Sequence, residues 1–438
     1  MSALPGVEEH DFRYALTNEL HARPVLAVQT PAQALHLALT TEEGAAEADR
    51  LHLEALCRRF GVHPPAPEAS HFVGEFGGFR LKWERHTEFV TYTFIREGRF
   101  DEPFRMDAPS LLPADWMAAL PGHLLVATQV AMLAKSAATP DQEAVSHWLS
   151  LDSAASSLVS DGAAQFWSDL RIHPSGYSRI LVKDRGLHPR RAGRLLQRLL
   201  EIETYRNMAL LALPVAREVS PRVARIDRAL AELTGKMGSG GAERLSDAAL
   251  LADLTRLSAE VEALSAATAY RFSAARAYCA LVLGRLRELR EERLPDYQGL
   301  GEFLDRRLAP AMRTCDSVWD RMDKLSKRAS RAAHLLRTRV DYALEEQNQQ
   351  LLLSMDRRAQ LQLRLQETVE GLSVAAISYY AIGLIGYLAK AAKASGLPVD
   401  PDLVIGLSIP LVVGVIWFAV RRLRRKIARA AHTEPGPH

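Results

Sequence analysis

The chain of 438 residues carries only three cysteines, Cys57, Cys279 and Cys315, and they lie far apart. That spacing offers neither a metal motif nor a disulfide framework, and it suits a reducing compartment. Residues 1–10 hold acids and a proline with no apolar run behind them, so no signal peptide is expected. The sequence lacks a Gly-x-Ser-x-Gly elbow, a His-Glu-x-x-His helix, a Walker loop and a dinucleotide fingerprint. Gly235-Lys236-Met237-Gly238-Ser239-Gly240-Gly241 lacks the Gly-Lys-Ser/Thr order and follows a helical segment, so it reads as a flexible turn. His52, His63, His71 and His86 fall at no ligand spacing and read as ordinary surface or core histidines. These absences argue against an enzyme and against a cofactor, and they name no metal. A formal net charge of +3, more than accounted for by arginines near the C-terminus, makes no demand for nucleic acid.

Charge is missing altogether from two stretches. Residues 372–388 read LSVAAISYYAIGLIGYL, and 403–420 read LVIGLSIPLVVGVIWFAV. A membrane span needs about 20 largely apolar residues, with a lower limit of about 17. Both stretches are read as spans, the second kinked at Pro410. Arg421, Arg422, Arg424, Arg425, Lys426 and Arg429 follow the second span, and Arg357, Arg358 and Arg364 precede the first. The segment between holds Lys390 and Lys393 against Asp400 and Asp402. The excess of positive charge places both termini in the cytoplasm and only a short loop outside. Arginine far exceeds lysine and alanine is abundant, which points to a GC-rich bacterial genome, and the two spans make the inner membrane the expected location.

Proline is absent between Pro310 and Pro398, so nothing covalent stops a helix over that range. Met322, Leu325, Ala329, Ala332, Leu336, Val340, Leu344, Gln347 and Leu351 step by three or four and make one stripe. A helix from 311 to 388 would be about 115 Å long at about 1.5 Å per residue. Its stripe requires partners, either earlier helices or further copies of the chain.

Upstream, the pattern changes twice. Residues 45–60 read as a helix. Phe79, Leu81 and Trp83 alternate with Arg80, Lys82 and Glu84, and 89–95 is rich in aromatic and β-branched residues, so a hairpin is expected about the Arg85-His86-Thr87-Glu88 loop. Residues 124–130 make a third strand, and 166–172 with 177–183 a second hairpin about His173-Pro174-Ser175-Gly176. From Pro189 strand signals stop. A helix opens with proline in its first turn and is bent or ended by Pro214. Helices over 217–233 and 245–294 follow, the latter expected to pack antiparallel to the stem.

Asn18, Glu19, His21 and Arg23 crowd into six positions before Pro24 and form a candidate ligand or regulatory cluster. The stretches Leu16-Thr-Asn-Glu-Leu-His-Ala-Arg-Pro24 and Leu199-Leu-Glu-Ile-Glu-Thr-Tyr-Arg-Asn-Met-Ala-Leu-Leu-Ala-Leu-Pro214 resemble an uncharacterised family of bacterial membrane-anchored proteins. That resemblance implies a location and no activity. The order of parts, with its long stem entering the first of two spans and a basic tail, resembles the CorA-type divalent-cation channels. In those, five copies surround a pore lined by the first span. Ser373-Val-Ala-Ala-Ile377 sits where those channels begin their pore helix. Their Gly-Met-Asn motif is absent, with Gly386-Tyr387-Leu388 in the comparable place.

The expected architecture is an α/β or α+β cytoplasmic domain over 1–187, a helical middle over 188–310 and a stem over 311–371. Spans follow over 372–389 and 403–420, joined by an external loop over 390–402 and closed by a basic tail over 421–438. The expected function is ion transport (of a divalent cation or another ion) through a homo-oligomeric, CorA-like pore in the lipid bilayer, a pentamer as the resemblance implies. Ser373, Ile377, Tyr380 and Leu384 would line the pore, and Glu367 and Glu370 would gather cations at its cytoplasmic mouth. The alternative is a non-conducting anchor that holds a cytoplasmic binding or scaffold domain at the membrane.

Overall fold

Side-chain alternation builds the sheet. The computed structural model describes residues 9–14, 16–17, 25–41, 44, 46–106, 111–238, 247–394 and 400–431. In chain order these form β1 (Ala32–Thr40), α1 (Ala46–Phe60), β2 (His71–Glu75), β3 (Arg80–Arg85), β4 (Phe89–Glu97), α2 (Ala114–Ala118), β5 (His123–Leu133) and α3 (Gln142–Ser146). Then come β6 (Ala155–Val159), β7 (Ala164–Ser168), β8 (Ser178–Asp184), α4 (Pro189–Leu210), α5 (Ala212–Gly238), α6 (Asp247–Leu289), β9 (Glu292–Arg293), α7 (Leu300–Ala394) and α8 (Pro401–Ala431).

The strands pair in the order β2-β3-β4-β1-β5-β8-β7-β6-β9. β5 and β8 run parallel, and the other named pairs are antiparallel. Because side chains alternate across a strand, each face has its own core. On one face Leu35, Leu37, Leu81, Trp83, Tyr92 and Phe94 pack with Leu53 and Leu56 of α1. The other face is covered by α4, which in turn packs on α6. Arg271 of α6 clamps Glu88 of the β3–β4 turn through two contacts of 2.5 and 2.6 Å, tying the helices to the sheet.

Beneath α1 lies a misfit. Asp49 is 1% exposed, and neither carboxylate oxygen has a hydrogen-bond partner among the described residues. Burial raises its pKa from 3.8 to about 6, against the opposing pull of Arg85.

The expected hairpins are present as β3–β4 and β7–β8. The strand expected at 124–130 is β5. α4 has Pro189 at its start, behind His188, whose ring accepts from the Arg190 amide at 3.4 Å. The chain breaks between α4 and α5 just ahead of Pro214 rather than at it. Pro214 then lies in the first turn of α5, where a missing N–H costs nothing. α6 ends at Leu289 rather than 294, because residues 292–293 leave to pair with β6.

α7 starts at Leu300 rather than 311 and carries Pro310 within it. Its first turn is capped by Glu291, which accepts from the amides of Leu300 at 2.5 Å and Gly301 at 3.0 Å. α6 and α7 pack antiparallel, as three contacts show: Arg276 with Asp316 at 3.7 Å, Phe272 with Trp319 at 6.1 Å, and Ser326 with Glu262.

The chain divides into two units, Met1–Ala333 and His334–His438. The first holds the sheet, α4 to α6 and the start of α7, where Met322, Leu325, Ala329 and Ala332 are buried. In the second, Leu344 and Leu351 of the same stripe are 53% and 59% exposed. The second unit also carries two helical runs long and apolar enough to cross a membrane, in α7 and α8. Within the apolar run of α7, residues 372–389, the buried positions are small ones: Ser378, Gly386 and Ala389. A Cβ at Gly386 would stand 2.9 Å from Cδ1 of Ile405 on α8, so glycine permits the close approach.

Of the residues expected in an external loop over 390–402, those described at its two ends, 390–394 and 401–402, are helical. α7 continues through Lys390 and Lys393 to Ala394. Asp400 accepts from the Asp402 amide at 3.2 Å at the start of α8. Lysines at a helix C-terminus and aspartates at an N-terminus complement the helix dipoles, which favours helix over loop at these positions.

Candidate ligand-binding site

Strand register creates a polar line that no local stretch of sequence contains. Lys82 of β3 pairs with Thr93 of β4, and Thr93 with His36 of β1. His36 pairs with Thr128 of β5, and Thr128 with Ser178 of β8. Five polar side chains thus stand side by side across five strands, all buried and all on the face that α4 covers. Burying a polar group is costly unless it is hydrogen-bonded. His36 has one ring nitrogen 2.8 Å from the Thr93 hydroxyl and the other 3.0 Å from the Thr204 hydroxyl of α4. Thr128 and Ser178 join through their hydroxyls at 2.8 Å, and Ser178 donates to Glu203 of α4 at 3.2 Å. Lys82 is paired with Glu84 at 3.0 Å.

At the β3 end of this line the sheet and α4 part to leave a cavity of about 260 Å³. Its floor is His36, Lys82, Glu84, Thr91 and Thr93. α4 supplies Gly193, Gln197, Glu201 and Thr204, a stripe with the three- and four-residue steps of one helical face. Leu26 and Val28 close one side, and Arg285 of α6 reaches in to bond Glu201. Gly193 is required here: a Cβ would fall 1.6 Å from the Leu26 carbonyl oxygen. The walls therefore carry two ion pairs, Lys82–Glu84 on the sheet and Arg285–Glu201 on the helices.

Burial, then Lys82 and His86, hold the His36 pKa down from 6.5 to about 3. His36 is neutral at physiological pH, with both nitrogens engaged by hydroxyls. It is a fixed hydrogen-bonding post rather than a proton carrier. The arrangement can bind a small molecule that carries charge of both signs. Its volume lies just below the roughly 300–1,000 Å³ of drug-sized pockets.

The residues singled out from sequence fall elsewhere. Asn18, Glu19, His21 and Arg23 lie outside the described residues. Ser373, Ile377, Tyr380 and Leu384 sit on α7 and are exposed, off the face that carries Ser378, Gly386 and Ala389. The Ser373 hydroxyl donates to the Val369 carbonyl at 2.9 Å. Glu367 is exposed, and Glu370 accepts from Gln366 at 3.4 Å. Lys390, Lys393, Asp400 and Asp402 are exposed at the facing ends of α7 and α8. No group of three or more metal-ligating side chains is gathered among the described residues.

Residues 8–427 match the model of a family described as protein of unknown function, DUF3422. The chain belongs to that family. The match spans the sheet, the helices and both apolar runs, so the two units are parts of one family architecture. No curated protein matches the chain, and no solved structure does. DUF3422 carries no described activity, in line with the uncharacterised family expected from the Asn-Glu-Leu-His-Ala-Arg-Pro stretch.

Proposed function

We propose that this DUF3422 protein is a homo-oligomeric, two-span protein of the bacterial inner membrane whose cytoplasmic unit binds a small zwitterionic molecule between the sheet and α4. The observation that carries this reading is the buried polar line ending in a cavity with two ion pairs on its walls. A buried Lys–Glu pair is weak as a stabilising device, since apolar replacement of both partners is often neutral or better. Its place on the wall of a cavity is explained by a ligand with a group of each sign. Binding rather than catalysis is favoured because both nitrogens of His36 are committed to hydroxyls.

Oligomerisation is supported by α7. Leu344, Leu351, Leu365 and Leu372 are exposed and recur at multiples of seven, the repeat of a helix that packs on copies of itself. The CorA-type resemblance supports five copies in the assembly. The arginines around the spans support cytoplasmic termini. Cysteine labelling of intact cells checks this: a cysteine at Ser395 reacts and one at Ser2 does not, and the reverse pattern refutes it.

A screen of small zwitterions by thermal shift tests the binding reading. A ligand should raise the melting temperature of the wild type. It should leave the Lys82→Met/Glu84→Met variant unmoved, although that variant still folds because both partners are replaced together. Equal shifts in both proteins would move the ligand to another site.

A second reading, ion conduction, is favoured by one observation. Ser373, Ile377, Tyr380 and Leu384 share a face of α7 that α8 leaves open, free to line a pore between copies. Liposomes with Mg²⁺, Zn²⁺, Na⁺ or H⁺ gradients test it. Flux that is lost in Ser373→Leu supports the pore, and no flux from inserted oligomer leaves the non-conducting anchor.

A further inference from the structure

A second hollow lies in the first unit, away from the polar line. It measures about 310 Å³ and opens between the turn after β7, the C-terminal part of α4 and the first turns of α7. Arg171, Arg206 and Arg307 line it together with Leu210, Phe303 and Leu308. Arg206 is paired with Glu203 at 2.5 Å. Among the described residues no carboxylate lies within ion-pair distance of the Arg171 or Arg307 side chains. Arg307 is not loose: its guanidinium lies 4.0 Å from the centre of the Phe303 ring. Stacking on a ring orients the guanidinium plane and leaves its N–H edges available.

One carboxylate, Asp169, also borders the hollow, and its position bears on the sign of the site. Its oxygens are occupied. They accept from the Ser150 amide at 2.9 Å and the Arg171 amide at 3.2 Å, and they face His173 Nε2 at 3.0 Å. Asp169 thus braces the turn that presents Arg171. Leu170, between them, adopts φ 55°, a left-handed conformation unfavourable for a side chain branched like leucine. Such strain persists where surrounding contacts over-determine it, and it collects at ligand sites.

We propose that this hollow is a binding site for an organic phosphate, the phosphate held by Arg171 and Arg307 and its apolar body lying against Leu210, Phe303 and Leu308. Planar guanidinium forks match a phosphate in geometry as well as charge. The apolar walls select an anion with a carbon body over the bare ion. The phosphate can come from a soluble ester or from a lipid headgroup, which share this chemistry.

The test is calorimetric titration of the full chain in phosphatidylcholine nanodiscs with phenyl phosphate and with inorganic phosphate. Phenyl phosphate is expected to bind one per chain, at least tenfold tighter than inorganic phosphate. Arg171→Gln/Arg307→Gln should weaken it tenfold or more. Both side chains are exposed, and an unchanged melting temperature shows that the variant folds. A third arm places phosphatidic acid in the discs. If it displaces phenyl phosphate from the wild type, the lipid is the source, and if it does not, the ligand is soluble. Either result of that arm supports the site. No binding of phenyl phosphate in any disc, binding unaffected by the double substitution, or equal binding of inorganic phosphate would overturn it.

Discussion

Replacing Asp49 by asparagine should stabilise the protein at pH 8 and change it little at pH 4. The carboxylate is buried under α1 without a hydrogen-bond partner, and its pKa is raised from 3.8 to about 6. Between those values the folded state holds a proton that the unfolded state has released. Stability from this group therefore falls as pH rises from about 4 to 6, and the full penalty applies above 6. Two pKa units correspond to about 3 kcal/mol at about 1.4 kcal/mol per unit. Asparagine removes the charge but leaves a buried amide, which returns about 1 kcal/mol or more of the gain. A net of about 1–2 kcal/mol is expected at pH 8, worth a few degrees in melting temperature for a unit of this size. His36 and His52 work in the opposite direction. Burial lowers their pKa values to about 3 and about 4, so each costs stability as pH falls below about 6.5. The wild-type profile mixes these effects, and the difference between variant and wild type isolates Asp49. Intrinsic fluorescence suits the measurement, because Trp116 packs against Tyr92 of the same core at 5.7 Å. A difference that is flat from pH 4 to 8, or that grows toward acid, refutes the reasoning.

Two other substitutions probe the site and the second unit. Gly193→Ala should lower the melting temperature by several degrees and abolish ligand binding, because its Cβ cannot share space with the Leu26 carbonyl; a neutral result would show that this segment does not close the cavity. Gly386→Leu should separate α7 from α8 and lower the yield of assembled protein in size-exclusion chromatography, since even one added carbon meets Ile405, whereas Gly383→Leu has open space and should be tolerated.

Where one strand carries its own signal, sequence and structure agree. Leu81 and Trp83 against Lys82 and Glu84 announce β3, and Pro189 announces α4. β1, the strand that joins the two sides of the sheet, passes unnoticed because Ala-Gln-Ala-Leu-His-Leu-Ala-Leu-Thr is poor in β-branched and aromatic residues. Its leucines at 35, 37 and 39 do alternate, and that period of two was the available signal. β6, Ala-Ser-Ser-Leu-Val, is hidden for the same reason of composition. The candidate site was less legible still. Lys82 and Glu84 look like a solvent face until α4 is placed over them, and the polar line runs perpendicular to the chain. Its members are brought side by side by register, from positions 36 to 178. No local window holds such a pattern, whereas a membrane span is a property of one window and is visible at once.

Native mass spectrometry of the protein in lipid nanodiscs tests the central claim most directly, because one spectrum reports both copy number and bound mass. The account predicts a homo-oligomer, five copies by the CorA-type analogy, carrying one small molecule per chain that is absent from Lys82→Met/Glu84→Met. A monomer, or wild-type and variant spectra with the same bound masses, would contradict it.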